Sequence, residues 1–374
     1  MIVVHHAAAT AGPQRAGVLA TPAAVMDSGV AIFFVISGFL IYRPFAVANL
    51  TGARPMRTRS FLWRRLLRVV PAYWAALSFF WAIGVFSLGT HWWRYYVFVQ
   101  IYWRDTVFGG VLQAWSLCTE LAFYLFIAVW VVVIRKVIAS RPAKSRPLID
   151  LAGCGLLYAA GFVFREVVSV RDPVWRAISW VWLPTNIDLF AMGMVLGVLS
   201  AWAGSDARVR AVTDRAARLP GLWWTAAIAL FAWYAYRVGV VNFNEGYRGF
   251  FWQQRQLVDA LIAAALLFPA IFGAQERGLV RRTLRWRPIA WVGVVSYGLY
   301  LWHFDWIQRM ASGSANRGAT AASVAGPWPG WAHSPSGNTS VWIVLAAGLG
   351  LGLLFAALSL ELLEKPLQRW KRLL

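Results

Sequence analysis

His5 and His6 stand side by side near the start of the chain, in MIVVHHAAATAG. Imidazole is the side chain whose ordinary pKa suits it to take a proton near neutrality, so either residue can act as general base on a hydroxyl. Adjacent residues on a helix point about 100° apart, so one of the pair is expected to face a site and the other to face away. A second set surrounds WSLCTELAFYLF, where Gln113, Ser116, Glu120 and Tyr124 fall at i, i+3, i+7 and i+11. That spacing puts them on one helical face. Ser296, Tyr300 and His303 repeat it at i, i+4 and i+7. Asp27 and Asp188 each sit near the end of an apolar run. A carboxylate beside an imidazole can orient the ring and steady its charged form, and Glu120 and Asp188 are the candidates. Arg64, Arg65 and Arg68 offer guanidinium forks of the kind that grip phosphate with paired hydrogen bonds; the same residues would serve as anchors at a membrane surface. Ser116 is a weaker candidate for an acyl-accepting nucleophile, because no histidine lies near it in sequence. Cys118 and Cys154 lie inside apolar runs, the five histidines show no ligand spacing, and no metal site is expected.

The elements that must position these groups are membrane helices. Of 374 residues, 60% are hydrophobic and 14% charged, whereas a soluble domain carries roughly 25% charged residues. Twenty-four Trp and twenty-three Phe suit a bilayer and its interfaces. The net charge of +21 would fit a nucleic-acid binder, but the cations lie between long apolar runs, which is the pattern of membrane topology. A span needs about 20 mostly apolar residues. Full spans are expected at roughly 27–45, 69–89, 111–134, 149–165, 184–203, 220–240, 257–275, 289–309 and 340–363. The fragment from Met1 to about Gly12 reads as half a helix, so about ten spans are expected with the first truncated, and the native product is expected to begin upstream of Met1. Alternate loops and the C-terminal tail hold 25 of the 36 Lys and Arg residues, which places both termini in the cytoplasm by the positive-inside rule. The His and carboxylate groups then fall toward the outer half of the membrane and the Arg set at its inner face. Ionisable groups inside a span are costly and are functional candidates for that reason. Ser37 and Gly38, in SGF, suit close helix packing. Residues 311–339, rich in Gly, Ser, Ala, Pro and Asn, are expected to form a loop on the outer side. No added soluble domain is expected; residues 1–374 read as one membrane domain. Polar groups on both sides would also suit a proton-coupled transporter of an organic anion or glycan precursor.

Several motifs, taken in order, resemble the acyltransferase family 3 of integral membrane acyltransferases over nearly the full chain. The family's first span carries an Arg, ten residues and a His; here IVVHHA retains the His, with His6 the better match and His5 the alternative, while the Arg would fall before Met1. GVDLFFVLSGFLI is matched by GVAIFFVISGFLI, with Ala31 in place of the Asp. RRLLRVVPAYW supplies Arg65 and Arg68, WSLCTELAFYLF supplies Glu120, LPTNIDLFAMG supplies Asp188 and Gly193, SYGLYLWHF supplies Tyr300 and His303, and Glu364-Lys365-Pro366 closes the series. The resemblance implies an all-α polytopic bundle in a bacterial plasma membrane. It implies transfer of an acyl group, acetyl in the simplest case, from acyl-CoA as co-substrate to a hydroxyl of a glycan, lipid or small metabolite. No tightly bound cofactor is expected. His6 would be the base and Arg65 and Arg68, with Arg64, the donor-phosphate ligands.

Overall fold

The computed structural model describes residues 1–11, 17–53, 56–170, 178–238, 249–276, 278–312 and 340–372. The expected outer loop lies almost wholly outside the described residues. The principal helices are α1 (Ile2–Ala11), α2 (Ser28–Thr51), α3 (Thr58–Ala82), α4 (Trp115–Ala139), α5 (Arg146–Val170), α6 (Leu183–Ser205), α7 (Pro220–Val238), α8 (Gly249–Ile271), α9 (Arg287–Ser312) and α10 (Val341–Ser359). No strand occurs among the described residues. The architecture is an all-α membrane helix bundle. The helices α2, α4, α5, α6, α8 and α10 lie in stretches long and apolar enough to cross a bilayer. The remaining long helices, α3, α7 and α9, of 25, 19 and 26 residues, overlap the spans expected at 69–89, 220–240 and 289–309, with α3 starting eleven residues earlier than expected.

Two helix pairs fix the frame, and glycines explain both. A Cβ on Gly38 of α2 would lie 2.1 Å from the Phe190 carbonyl oxygen of α6, and one on Gly193 of α6 would lie 2.0 Å from the Val35 carbonyl oxygen of α2. Each helix thus seats its backbone directly on the other, which is how helices associate where water supplies no hydrophobic drive. Phe190 then stacks between Phe34, at 4.7 Å, and Phe123 of α4, at 4.1 Å. The second pair is α9 and α10, where Gly298 meets Ala356 and Gly352 meets Leu299 and the backbone of His303. The short α1 lies against both α9 and α10.

α4 shows why the bundle needs lipid. Gln113, in the turn leading into it, and Ser116, Glu120 and Tyr124 are all buried, while Leu125, Val129, Val132 and Val133 are exposed. An apolar face left bare over that length is a lipid-facing surface. α10 runs on into a single π-helical turn, Leu360–Glu364. Pro366 follows it; with no N–H, Pro366 cannot bond the carbonyl four residues back. The wider turn leaves Glu364 buried, with Ser359 Oγ donating to it at 3.4 Å.

Candidate functional site: a histidine-walled cavity

A cavity with an open mouth lies between α1, α2, α6, α8 and α9. His5 and His6 both line it. This differs from the expectation that only one would face a site. The cavity wraps around the flank of α1, and the two rings, 5.4 Å apart and tilted by 56°, diverge toward different neighbours. His5 Nδ1 donates to the Ala23 carbonyl at 2.8 Å. His6 turns toward α9, against Phe304 at 4.6 Å, with its Nδ1 2.8 Å from His303 Nε2.

The protons in that contact follow from its far end. His303 Nδ1 lies 2.9 Å from the Leu299 carbonyl oxygen, which can only accept. His303 therefore carries its proton on Nδ1 and presents a lone pair at Nε2. His6 must then donate from Nδ1, which leaves its Nε2 as an unprotonated acceptor. A neutral imidazole held with a lone pair at a cavity wall is competent to take a proton from a hydroxyl.

The sequence candidates divide. Tyr300 lines the same cavity; its hydroxyl donates to the Gln113 carbonyl at 2.8 Å and lies 2.7 Å from Ser116 Oγ. Ser116 also reaches the Gln113 carbonyl at 3.2 Å. Its hydroxyl is engaged by these groups and meets no imidazole, an arrangement for packing, with nothing to activate a nucleophile. Ser296 is exposed and bonds its own helix, at Gly293. Its neighbour Tyr297 takes the inward position, donating to the Val69 carbonyl at 2.6 Å.

The two carboxylates read as orienting groups for the base are placed elsewhere. Glu120 accepts from Ser37 Oγ at 2.7 Å. Asp188 is fully buried and paired with Arg165 at 2.8 Å. Arg165 also donates to the Thr185 carbonyl at 2.6 Å and to Gln253 Oε1 at 2.9 Å, so this pair ties α5, α6 and α8 together. The group that touches His6 Nδ1 is His303, not a carboxylate. Arg65 lies 5.7 Å from the Tyr124 ring centre, one turn along α4 from Glu120, and the charges of Arg65 and Arg68 both reach Glu120. Arg68 also acts on Glu364. Arg64 and Arg68 are exposed and Arg65 is half-buried. Among the described residues none of these three arginines makes an ion pair within 4.0 Å.

A third group was missed in the sequence. Arg255 pairs with Asp27 and lies 3.7 Å from Asp259, and all three line the cavity together with Asn186 and Gln256. The signal was present, because Arg255 and Asp259 are an i, i+4 pair in QQRQLVDALIAAALL. Reading that span as 257–275 set Arg255 outside the membrane; α8 in fact starts at Gly249. Among the described residues no group of three or more His, Cys, Asp or Glu is placed to hold a metal ion.

The fold and cavity define an all-α membrane protein with a largely apolar chamber into which histidines and a few other polar groups converge. The chain belongs to the acyltransferase family 3, whose model, an acyltransferase domain, matches residues 1–361. It is 26% identical over 302 residues to a putative peptidoglycan O-acetyltransferase, YrhL, of Bacillus subtilis (strain 168), an alignment covering 74% of this chain and 43% of that protein. It is 25% identical over 297 residues to the peptidoglycan O-acetyltransferase OatA of Listeria monocytogenes serovar 1/2a (strain ATCC BAA-679 / EGD-e), covering 74% of this chain and 44% of that protein. The chain spans under half the length of these curated relatives. No solved structure matches it.

Proposed function

We propose that the chain is a multi-pass enzyme of a bacterial plasma membrane, with both termini cytoplasmic, that transfers an acyl group from acyl-CoA to a hydroxyl of a cell-envelope glycan. Acetyl is the simplest acyl group and fits the O-acetyltransferase relatives. The observation that carries this reading is the chain from the Leu299 carbonyl through His303 to His6, which leaves His6 Nε2 as a base at the cavity wall.

The acceptor hydroxyl sits at His6 Nε2. Its oxygen attacks the thioester carbonyl carbon as the proton passes to the imidazole. The carbon–sulfur bond then breaks, and the imidazolium returns the proton to the departing thiolate. The products are an O-acyl ester and CoA-SH. A positioned base of this kind contributes about 10²–10⁴-fold. His303 holds the His6 ring and accepts the strengthened N–H hydrogen bond while His6 is charged. Arg65 and Arg68 take the donor phosphates at the cytoplasmic end, with Arg64 nearer the surface. From Ser116 to Tyr124 the helix climbs about 12 Å, so the donor's extended arm has to carry its thioester that far toward His6.

The test is CoA release by the purified protein in detergent, with mass spectrometry of envelope glycans from cells with and without the gene. His6→Ala should abolish both transfer and acceptor-dependent CoA release while leaving membrane insertion intact. His5→Ala should be milder. An active His6→Ala variant would remove the base from this mechanism. A protein that never releases CoA would favour transport.

A further inference from the structure

The same cavity is lined by a group of side chains rich in hydrogen-bond acceptors. Asp27 and Asp259 flank Arg255, and Gln256 lies beside them on α8. Asp27 Oδ1, Asp259 Oδ1 and Gln256 Oε1 make no hydrogen bond of normal geometry within the protein, and the Ser28 hydroxyl, a donor near Asp259, is itself without a well-formed bond. Asp259 and Gln256 are only 4% and 7% exposed. A buried acceptor without a donor is costly, and three around one chamber call for a ligand that brings donors. Trp115 and Trp180 also line the chamber, packed edge to face at 5.1 Å. Flat apolar walls beside convergent polar groups are the make-up of a small-molecule site.

Charge narrows the ligand further. The cavity's charged side chains are two carboxylates and one guanidinium, a net charge of −1. An anionic ligand would meet like charge in a site shielded from water. A cationic amine would have to sit beside Arg255, which already touches Asp27 and approaches Asp259. Three separated acceptor oxygens match several hydroxyl hydrogens better than one point charge.

Resting on the acyltransferase reading above, we infer that the ring seated here is an uncharged sugar, held through its hydroxyl hydrogens by Asp27, Asp259 and Gln256 and covered by Trp115 and Trp180. The cavity selects against sugar acids. Asp27 and Asp259 are thus acceptor-binding residues in the same chamber as the histidine base.

Saturation-transfer NMR on the purified full chain, with methyl glucoside, glucosamine and glucuronate as matched probes, tests this. Methyl glucoside should bind, and glucuronate at least tenfold more weakly. Asp259→Asn and Asp27→Asn should each narrow that gap at least threefold. Gln256→Leu, which leaves the charge balance untouched, should weaken methyl glucoside several-fold even if an Asp variant fails to fold. The inference is overturned if glucuronate or glucosamine binds as well as methyl glucoside, or if none of the three binds. CoA release in the same preparation separates the failures. If it still depends on His6, the acyltransferase reading stands and the sugar assignment falls.

Discussion

His303 Nε2 faces His6 Nδ1 at 2.8 Å across 297 residues of sequence, and the Leu299 carbonyl behind it settles which nitrogen of each ring carries the proton. His303 is therefore a positioning residue. His303→Ala should lower kcat by about 10²-fold with little change in the KM for acyl-CoA. His303→Gln should recover part of the loss, because an amide oxygen can accept from His6 Nδ1. Steady-state kinetics on both variants provide the check; equal activity in Gln and Ala variants would point to packing alone.

The Arg165–Asp188 pair gives a second expectation. Both side chains are buried, and removing one partner strands the other's charge, a loss of about 3–5 kcal/mol. Asp188→Asn should therefore lower thermal stability in detergent sharply, while the folded fraction keeps its activity per molecule. A folded but inactive Asp188→Asn protein would return Asp188 to the chemistry.

At the inner end, Arg65→Ala and Arg68→Ala should raise the KM for acyl-CoA about tenfold, equivalent to about 1.4 kcal/mol, with less effect on the acceptor. Lysine replacements should recover only part, since an ammonium lacks the planar fork. Equal change in both KM values would indicate a role in folding or topology.

The glycine contacts make a purely structural prediction. Gly38→Ala or Gly193→Ala would drive a methyl into a facing carbonyl. Overpacking of this kind costs about 1–3 kcal/mol or more, so both variants should unfold at lower temperature. Ala at Gly155 or Gly350, where a Cβ meets nothing within 4 Å, should be neutral in the same melting experiment.

Much of the frame was legible from hydropathy, because each full span expected overlaps a helix, although those at 69–89 and 257–275 were set eleven and eight residues too late. The buried row Gln113, Ser116, Glu120 and Tyr124 was legible from helical spacing. What periodicity could not reveal was partnership. His6 meets His303, Asp27 meets Arg255 at 228 residues' separation, and Asp188 meets Arg165; such pairings exist only after the helices have packed. Where a row is set by a rotation of one residue, spacing alone also misleads. Ser296 matched the helical template, yet Tyr297 occupies the inward position, because its longer side chain reaches the Val69 carbonyl on α3.

The interlocked glycines of α2 and α6 also bear on motion. Backbones seated in one another cannot slide, so α2 and α6 move as one body. α1 packs against α9 and α10 and touches α2 itself only lightly, though its His5 bonds the Ala23 carbonyl just before α2. His6 and His303 ride together on this second body, while Asp27 belongs with the first and Asp259 with α8, which packs against α2 and α6. The cavity is the seam between the two bodies. Widening that seam would admit a bulky glycan without parting the two histidines, because the 2.8 Å contact lies wholly on one side of it.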